Sequence, residues 1–580
     1  MSEMYYTSEK SVLILIALLK QNNIKKIVVS PGATNITFVA SLQHDSFFEL
    51  YSSVDERSAA YIACGLSAQS GEPVVLSCTG ATASRNYYPG LTEAYYRKLP
   101  ILAVTSTQDE IRIGHLKPQV IDRGNLPSDV VIKSEHVKSV ISDDDEWDAQ
   151  IRLNRAILEL KHRGGGPVHI NLATTYSRDY SVKMLPNVKA IKRFMPNDVL
   201  PELPSGKIGV FIGNHRTFTE QETRVLDQFC STHEAVVFCD HTSGYYGEYR
   251  VQFALVLSQN DYTSKLSELD LLIHLGEVSG DTPTSHLKAL NVWRVNEDGE
   301  IRDTFRKIQY VFEMNEISFF DYYSEQKCVK ENSFYTMCQK ELETIRSKIP
   351  ELPFSNTWIA SQTAHLIPKN SILHFGIFNS LRNWNFFEVD KTVIRSCNTG
   401  GFGIDGILST LVGASFADKD KLCFVVLGDL AFFYDMNVVG NRHVGSNVRI
   451  LLINNGKGTE FRNFNHPGAM FGDDADFYIA AGGHFGKQSR LLVKHYAEDL
   501  GYEYMMADTK EQYIDNLTRF VTPEITTKPM IFEVFTNSES ESDALWIIRH
   551  VYSDTKGNAR NAIKSIIGEN SYKYVKKLLK

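Results

Sequence analysis

The chain has 580 residues, a formal net charge of −8 and an isoelectric point near 6.1, which argues against nucleic acid as a partner. Its 43% apolar and 22% charged residues are ordinary for globular protein, and the length predicts about three or four domains. The longest early apolar run, residues 12–19, is too short to span a bilayer, and no signal peptide pattern is present.

The eight cysteines are scattered and form no CxxC pair. Several lie in apolar runs typical of strands. This usage predicts free thiols in a reducing cytoplasm, and it argues against a disulfide framework or a zinc site. We therefore expect a soluble cytoplasmic protein. The cysteines are Cys64, Cys78, Cys230, Cys239, Cys328, Cys338, Cys397 and Cys423.

In chain order, residues 11–21 predict an amphipathic helix, and an apolar strand follows before Pro31-Gly32. Strand, glycine turn and helix then recur along the chain. This alternation predicts doubly wound parallel sheets. Predicted strands of the first set are residues 26–30, 73–78, 101–105 and 167–173, and a proline-rich linker follows at 187–206.

Two further sets of strands follow the linker, separated by a charged helical stretch at 324–348. The fold class is therefore α/β, with three doubly wound domains at 1–186, 187–353 and 354–550. A basic tail at 551–580 packs on its own protein or a sister subunit, or alternatively lies on a membrane surface. The predicted strands are 208–213, 235–240, 269–276 and 292–296, then 371–376, 392–396, 422–428, 448–454 and 530–535.

Two neighbouring strands of the third set end in polar residues. One ends in Gly428-Asp429-Leu430 and the next in Asn454-Asn455-Gly456. Parallel strands end at the same edge of a sheet, so both polar ends meet there. A carboxylate, an amide oxygen, a backbone oxygen and phosphate oxygens suit Mg²⁺. The pattern predicts a diphosphate–Mg²⁺ anchor, and the alternative is a helix cap beside a turn.

The segments GDLAFFYDMN and INNGKGTEF form a GD-(x)24-NN pattern that resembles the cofactor motif of thiamine-diphosphate (ThDP) enzymes. Their flanks are most similar to the branch of the menaquinone-pathway 2-succinyl-5-enolpyruvyl-6-hydroxy-3-cyclohexene-1-carboxylate synthase and related acetolactate synthase-like enzymes. The resemblance covers roughly residues 11–535 and implies ThDP and Mg²⁺ as cofactors. It implies metal ligands at Asp429, Asn455 and Lys457, with Gly428, Leu430, Ala431, Gly458 and Thr459 around the diphosphate.

Glu56 follows Asp55 at the start of a helix rich in small residues. Acids at a helix N-terminus favour the helix dipole, so simple capping is one interpretation. The resemblance implies another, in which the Glu56 carboxyl faces N1′ of the aminopyrimidine and drives its amino-to-imino shift. Desolvation would raise the pKa of such a carboxyl.

The glycine-rich segment SCNTGGFGIDGILST leaves Ile404 as its one large residue near a ligand-sized gap. By itself it is a loop that starts a helix. The resemblance implies that Ile404 wedges between the two cofactor rings and that the Phe402 backbone oxygen accepts from the 4′-amino group.

In the first domain, Pro31, Gly32, Thr82 and Asn86 match loops that approach the cofactor in this family. Simple strand-to-helix turns are the alternative. Because the two halves of the family's site come from different subunits, the resemblance implies a homodimer or homotetramer with interfacial active sites.

Arginines that hold polyanionic substrates in the related synthase are missing at four matching positions, which carry Thr34, Gln108, Trp384 and Thr399. Their loss favours a small donor such as pyruvate. The second domain has no nucleotide fingerprint, so FAD is not expected. Candidate substrate residues are Arg85, Gln119, Trp384, Glu460, Phe461 and Arg462, each of which could instead be a solvated loop residue.

The resulting hypothesis is a ThDP-dependent transferase or lyase that decarboxylates a 2-oxo acid and ligates the acyl carbanion to an acceptor. Glu460 could act as an acid/base group in those steps. The alternatives are simple decarboxylation to an aldehyde, and a catalytically silent binding protein with the same fold.

Overall fold

The computed structural model describes residues 5–124, 126–281, 283–324, 332–482 and 489–553. These residues fall into two compact units. One contains the residues up to Met195 together with Gly299–Val311, and the other contains Pro196–Asp298 together with the residues from Phe312 onward. Every strand pair of the three sheets described below is parallel, which confirms the predicted α/β class.

The first unit contains a six-stranded sheet in the order β2-β1-β3-β4-β6-β5. Its strands are β1 (Lys26–Val29), β2 (Glu49–Ser52), β3 (Val74–Cys78), β4 (Ile101–Thr107), β5 (Lys133–Val137) and β6 (Val168–Ala173), and β7 (Lys192–Phe194) follows. Its helices are α1 (Lys10–Gln21), α2 (Ile36–Gln43), α3 (Glu56–Ser70), α4 (Thr82–Asn86), α5 (Tyr88–Tyr96) and α6 (Asp143–Glu159).

The second unit begins with a parallel sheet that includes, in order, β10-β9-β8-β11-β12. The strands are β8 (Ile208–Ile212), β9 (Val236–Cys239), β10 (Arg250–Val251), β11 (Glu268–Leu275) and β12 (Lys288–Val295), and β13 (Ile308–Phe312) follows in the chain. The helices are α7 (Glu220–His233), α8 (Ala254–Leu257), α9 (Glu316–Ser324) and α10 (Ser333–Arg346).

The same unit carries a second parallel sheet in the order β15-β14-β16-β17-β19-β18. Its strands are β14 (Ile372–Phe375), β15 (Ile394–Cys397), β16 (Cys423–Gly428), β17 (Val448–Asn454), β18 (Glu503–Ala507) and β19 (Met530–Phe535). Its helices are α11 (Asn356–Thr363), α12 (Asn379–Trp384), α13 (Ile407–Ala417), α14 (Asp429–Asp435), α15 (Leu492–Asp499), α16 (Lys510–Phe520) and α17 (Ser538–Ile548).

Helix α1 differs from the amphipathic helix predicted for it. All nine residues from Ser11 to Leu19 are buried, because the helix packs against α2, α6 and β6. A helix that is apolar all round belongs to a protein core or a membrane. Of the helices that the structure describes, none is long and apolar enough to cross a bilayer.

The free thiols predicted from the sequence agree with the structure for the cysteines that it describes. Seven cysteines are described, and each is buried and outside any disulfide, while Cys328 lies outside the described residues. Burial raises the pKa of Cys78 and Cys239 to about 12, so these thiols stay protonated at neutral pH. The domain boundaries stay predictions, and nearly all of the basic tail lies outside the described residues.

Candidate functional site

The candidate site lies at the carboxyl edge of the last sheet. Strand β14 has β15 on one side and β16 on the other. The order of the strands therefore reverses beside β14, which makes this a topological switch point. Ligands of open α/β sheets bind in the crevice at such a point. A cavity of about 450 Å³ opens at this edge. Its lining includes Asn356, Phe378, Asn379, Arg382, Ile404, Gly428, Asp429, Leu430, Ala431, Asn455, Lys457, Gly458, Thr459, Glu460, Phe461 and His466.

Asp429 is placed at this cavity by the register of two strands. It is the first residue of α14, directly after β16, and it is only 2% exposed. Gly428 pairs with Ile453 of β17, so the residues that follow each strand emerge side by side. The predicted meeting of the Asp429 and Asn455 segments at one sheet edge is therefore the observed arrangement.

Asn455 carries an unpaired buried oxygen toward this site. Its Nδ2 donates to Thr459 Oγ1 at 3.3 Å, while its Oδ1 is buried without a hydrogen-bond partner among the described residues. An unsatisfied buried amide oxygen costs about 1–3 kcal/mol. A divalent cation with oxygen ligands would satisfy it, so the residues present fit Mg²⁺.

Lys457 can offer only its backbone oxygen to a metal, because its ammonium is paired with Asp476 Oδ2 at 2.6 Å. Arg462 shares that carboxylate, with Nη1 at 2.6 Å from Asp476 Oδ1. The described residues contain no cluster of three His, Cys, Asp or Glu side chains that could hold a metal. A metal at this edge would therefore rely on one carboxylate, amide and backbone oxygens, and ligand phosphates.

The glycine-rich loop after β15 carries Ile404 to the same cavity. Phe402 has a left-handed backbone with φ of 55°, and its ring contacts Phe378 edge-on at 6.0 Å between centroids. Thr399, at the start of the loop, accepts from Asn214 Nδ2 at 2.6 Å. Ile404 is half-buried and faces a gap of ligand size, as its sequence position predicts.

An ion pair that the sequence did not predict crosses the cavity wall. Arg382 Nη1 donates to Glu460 Oε1, and the Arg382 guanidinium lies 5.3 Å from the centre of the Phe378 ring. Asn379 donates to Glu460 Oε2 at 2.7 Å when its amide is oriented to satisfy both the oxygen and the nitrogen. Glu460, a candidate acid/base group, is thus an ion-pair partner in this structure.

The first unit gathers its candidate residues at the carboxyl edge of its own sheet. Glu56 is the first residue of α3, after β2, and Asp55 caps this helix through the Arg57 and Ser58 N–H groups. Pro31 and Gly32 follow β1, and α4, which begins at Thr82 and ends at Asn86, follows β3. Because β2, β1 and β3 are adjacent, these residues come from neighbouring strand ends.

Gly32 lies where the loop after β1 passes close to the loop after β3. A Cβ at this position would lie 2.5 Å from Thr79 Cβ. Thr34, two residues later, donates to Ser106 O at 2.7 Å and so ties the β1 loop to β4. The tight backbone here agrees with the glycine expected from the motif.

Comparison with known proteins identifies the family of this chain. Residues 11–126 match the family model "Thiamine pyrophosphate enzyme, N-terminal TPP binding domain". A 2-succinyl-5-enolpyruvyl-6-hydroxy-3-cyclohexene-1-carboxylate synthase of Bacteroides fragilis is 30% identical over 559 residues, which cover 93% of this chain and 98% of the relative. The chain belongs to the thiamine-diphosphate enzyme family.

Other relatives place this ThDP enzyme in the same branch. Synthases with that printed name from Bacteroides thetaiotaomicron and Flavobacterium johnsoniae are 29% and 26% identical, over 93% and 90% of this chain and 98% and 95% of their own length. The chain is thus a ThDP-dependent enzyme of the transferase or lyase type, as the motifs predicted.

The predicted substrate residues of this ThDP enzyme are only partly brought together. Glu460 and Phe461 line the cavity, whereas Arg462 is engaged by Asp473 and Asp476. Trp384 is fully buried and does not line the cavity itself, and its Nε1 donates to Oδ1 of the lining residue Asn356 at 3.2 Å.

In the first unit, two other substrate candidates are exposed. Arg85 donates to Asp122 O at 3.4 Å, and Gln119 has a left-handed backbone with φ of 63°. No role was predicted for Asn379 from the sequence. Its position as a polar residue shortly after a predicted strand could have indicated one.

Proposed function

We propose that this ThDP enzyme decarboxylates a 2-oxo acid and joins the remaining acyl group to an acceptor carbonyl or alkene, with Mg²⁺ as the second cofactor. The observation that carries the proposal is the buried Oδ1 of Asn455, which has no hydrogen-bond partner among the described residues and lies on the strand end next to Asp429. A cation held together with a diphosphate would satisfy this oxygen. The family membership identifies that diphosphate as thiamine diphosphate.

Each half of the chain has a separate task in this proposal. Asp429, Asn455 and the Lys457 backbone oxygen hold the metal and orient the diphosphate, and Ile404 fixes the shape of the bound cofactor. The Glu56 carboxyl holds the proton at the aminopyrimidine nitrogen. Bound ThDP supplies the electron sink for decarboxylation. The apolar side chains Ile404 and Phe461 exclude water from the reacting centre.

The donor that fits this cavity best is small and carries no second charge, such as pyruvate. Among the described residues, the arginine and lysine side chains that line the cavity are Arg382 and Lys457, and both are paired with carboxylates of the protein. A donor with a distal carboxylate would have to displace one of these ion pairs. The acceptor could be a second 2-oxo acid, a keto sugar or a cyclic compound.

The activity printed in the relatives' name is the second candidate, because those synthases match this chain almost from end to end. Its product carries several carboxylates, and arginines are the natural clamps for them. Here the matching positions hold buried Trp384 and Thr399.

A screen of 2-oxo acids distinguishes these candidates. Full-length protein with ThDP and Mg²⁺ is incubated with pyruvate, 2-oxobutanoate or 2-oxoglutarate, CO₂ release is followed, and products with candidate acceptors are identified by mass spectrometry. A ligated product from pyruvate supports the proposal, and ligation only from 2-oxoglutarate supports the second candidate. Free aldehyde without any ligated product would indicate a simple decarboxylase. No CO₂ from any donor would overturn the catalytic proposal in favour of a binding protein.

We also propose that the enzyme works in the cytoplasm as a homodimer or homotetramer, with Glu56 of one subunit serving the Asp429 site of another. Mixing inactive Glu56→Gln and Asp429→Ala subunits tests this directly. Shared sites predict recovery of activity after subunit exchange, because some mixed sites hold both wild-type groups. Absence of recovery despite demonstrated exchange would contradict it.

A further inference from the structure

A second cavity, of about 370 Å³, lies on the other side of the Arg382–Glu460 ion pair. Asn379, Arg382 and Glu460 border both this cavity and the cofactor cavity. Its remaining described walls come from within residues 256–267 and 283–288, from the segment after Glu460, and from the end of α17 and Arg549, all within the second unit. Nothing in the proposed reaction uses this space, so its lining must be explained separately.

The lining carries a half-buried cation without a direct partner among the described residues. Burial lowers the pKa of Arg549, and the nearby carboxyls of Asp281 and Glu460 offset only part of that shift. Arg549, just after α17, makes no side-chain hydrogen bond or ion pair within the described part of the chain, and its Nε is buried without a partner. His286 and Lys288 stand exposed at the rim. The one carboxylate in the described lining, that of Glu460, is already paired with Arg382. A cation in this position is costly unless an anion accompanies it.

A second observation points to the same kind of ligand. Asn383 is 4% exposed and lines the cavity, yet it makes no side-chain hydrogen bond among the described residues. Buried amides nearly always have partners, so this one is available to a ligand. A guanidinium together with amide and hydroxyl groups is the recognition set for a carboxylate or phosphate.

We propose that this cavity binds a small oxyanion, a carboxylate or a phosphate, between Arg549 and Asn383. The occupant is an effector and not a substrate, because Arg382 and Glu460 stand between it and the cofactor cavity. An anion there attracts Arg382 away from Glu460. It therefore changes the charge that the cofactor cavity presents to a donor.

Calorimetric titration of the full-length protein with inorganic phosphate and with succinate tests the proposal. ThDP and Mg²⁺ are present in excess, so that the diphosphate cradle is filled, and Asp429→Ala is titrated in parallel to exclude binding in that cradle. We expect saturable binding of at least one probe to both proteins. Whichever probe binds more tightly identifies the natural group as phosphate or carboxylate.

Arg549→Gln should weaken this binding by roughly tenfold or more, since a charged hydrogen bond is lost. Arg549→Lys should restore part of it. The matched control is Arg224→Gln, because Arg224 is an exposed arginine on α7 with a 3.7 Å pair to Glu220. Asn383→Ala provides a second test if Arg549→Gln proves unstable. No saturable binding by the wild type, or wild-type affinity in both Arg549→Gln and Asn383→Ala, overturns the proposal.

Discussion

Asn455 Nδ2 donates to Thr459 Oγ1 at 3.3 Å, and Asn455 Oδ1 is left buried without a hydrogen-bond partner among the described residues. Both residues lie within five positions after β17, opposite the β16 end that supplies Asp429. A buried acceptor held in this way is costly in the free protein and useful once a cation is bound. Under the proposed function, this geometry would preorganise the site for metal before any ligand arrives.

Asp429→Ala should weaken ThDP binding in the presence of Mg²⁺ by roughly ten- to hundredfold, because the only charged metal ligand proposed here is lost. Titration calorimetry or the circular dichroism bands of the bound cofactor measure this. Asp418→Ala is the matched control, since Asp418 is a surface residue paired with Lys421 at 3.1 Å. Normal ThDP affinity in Asp429→Ala would remove the anchor assignment.

Glu56→Gln should bind ThDP normally and turn over at a small fraction of the wild-type rate, because the amide cannot exchange a proton with the aminopyrimidine. Cofactor affinity and CO₂ release are measured on the same preparation. Glu93→Gln serves as control, since Glu93 is a half-exposed glutamate of α5 that pairs with Arg97 at 3.3 Å. If Glu56→Gln keeps full activity, the assigned proton role is wrong.

The fold could be predicted best where strands are buried on both faces. Strand β16 is a continuous apolar run and β17 is apolar from Ile450 to Ile453, and the predicted ranges for both match the structure to within one residue. The edge strands β2, β5 and β18 had no predicted counterparts. β2 is exposed at all four residues and β5 reads Lys-Ser-Glu-His-Val, so neither carries an apolar signal.

Some residues of the candidate site could likewise be predicted from the sequence, and others could not. Asp429 and Asn455 were predictable because each follows an apolar strand in a recognisable motif. The Arg382–Glu460 pair joins residues 78 positions apart, and no local pattern encodes such a contact. An arginine of the related synthase matches Trp384 in the sequence, and Trp384 lies on a different face of α12 from Arg382. Residues two apart on a helix point in different directions. Arg382 faces the cavity and Trp384 faces the core.

Ile404→Ala should lower turnover by roughly ten- to hundredfold while changing ThDP affinity little, because the cofactor would lose the wedge that holds its reactive shape. Ile404→Leu, which keeps the volume, should retain most of the activity. Ile394→Ala on the edge strand β15 is the surface control. Equal losses in Ile404→Ala and Ile394→Ala would indicate general destabilisation and refute the wedge.

Asp281 should make the stability of the protein depend on pH. Its carboxyl is buried, Oδ1 has no partner among the described residues, and Oδ2 accepts from Thr284. Burial, with help from the nearby Asp240 charge, raises the pKa of Asp281 from 3.8 to about 7. The folded protein therefore keeps a proton that the unfolded chain releases between pH 3.8 and 7. The contribution of Asp281 to the free energy of unfolding therefore falls by about 4 kcal/mol as pH rises through that window. Above the window this contribution no longer changes with pH.

Asp281→Asn should remove this slope, because the amide stays neutral at every pH. In calorimetric melts of the cofactor-free protein, the Tm of the variant minus that of the wild type should increase steadily from pH 4.5 to pH 7.5. Asp321→Asn is the control, because Asp321 is exposed on α9 and its variant should follow the wild type at each pH. A Tm difference for Asp281→Asn that does not change with pH would mean that the Asp281 carboxyl is already ionised in the folded protein across this range.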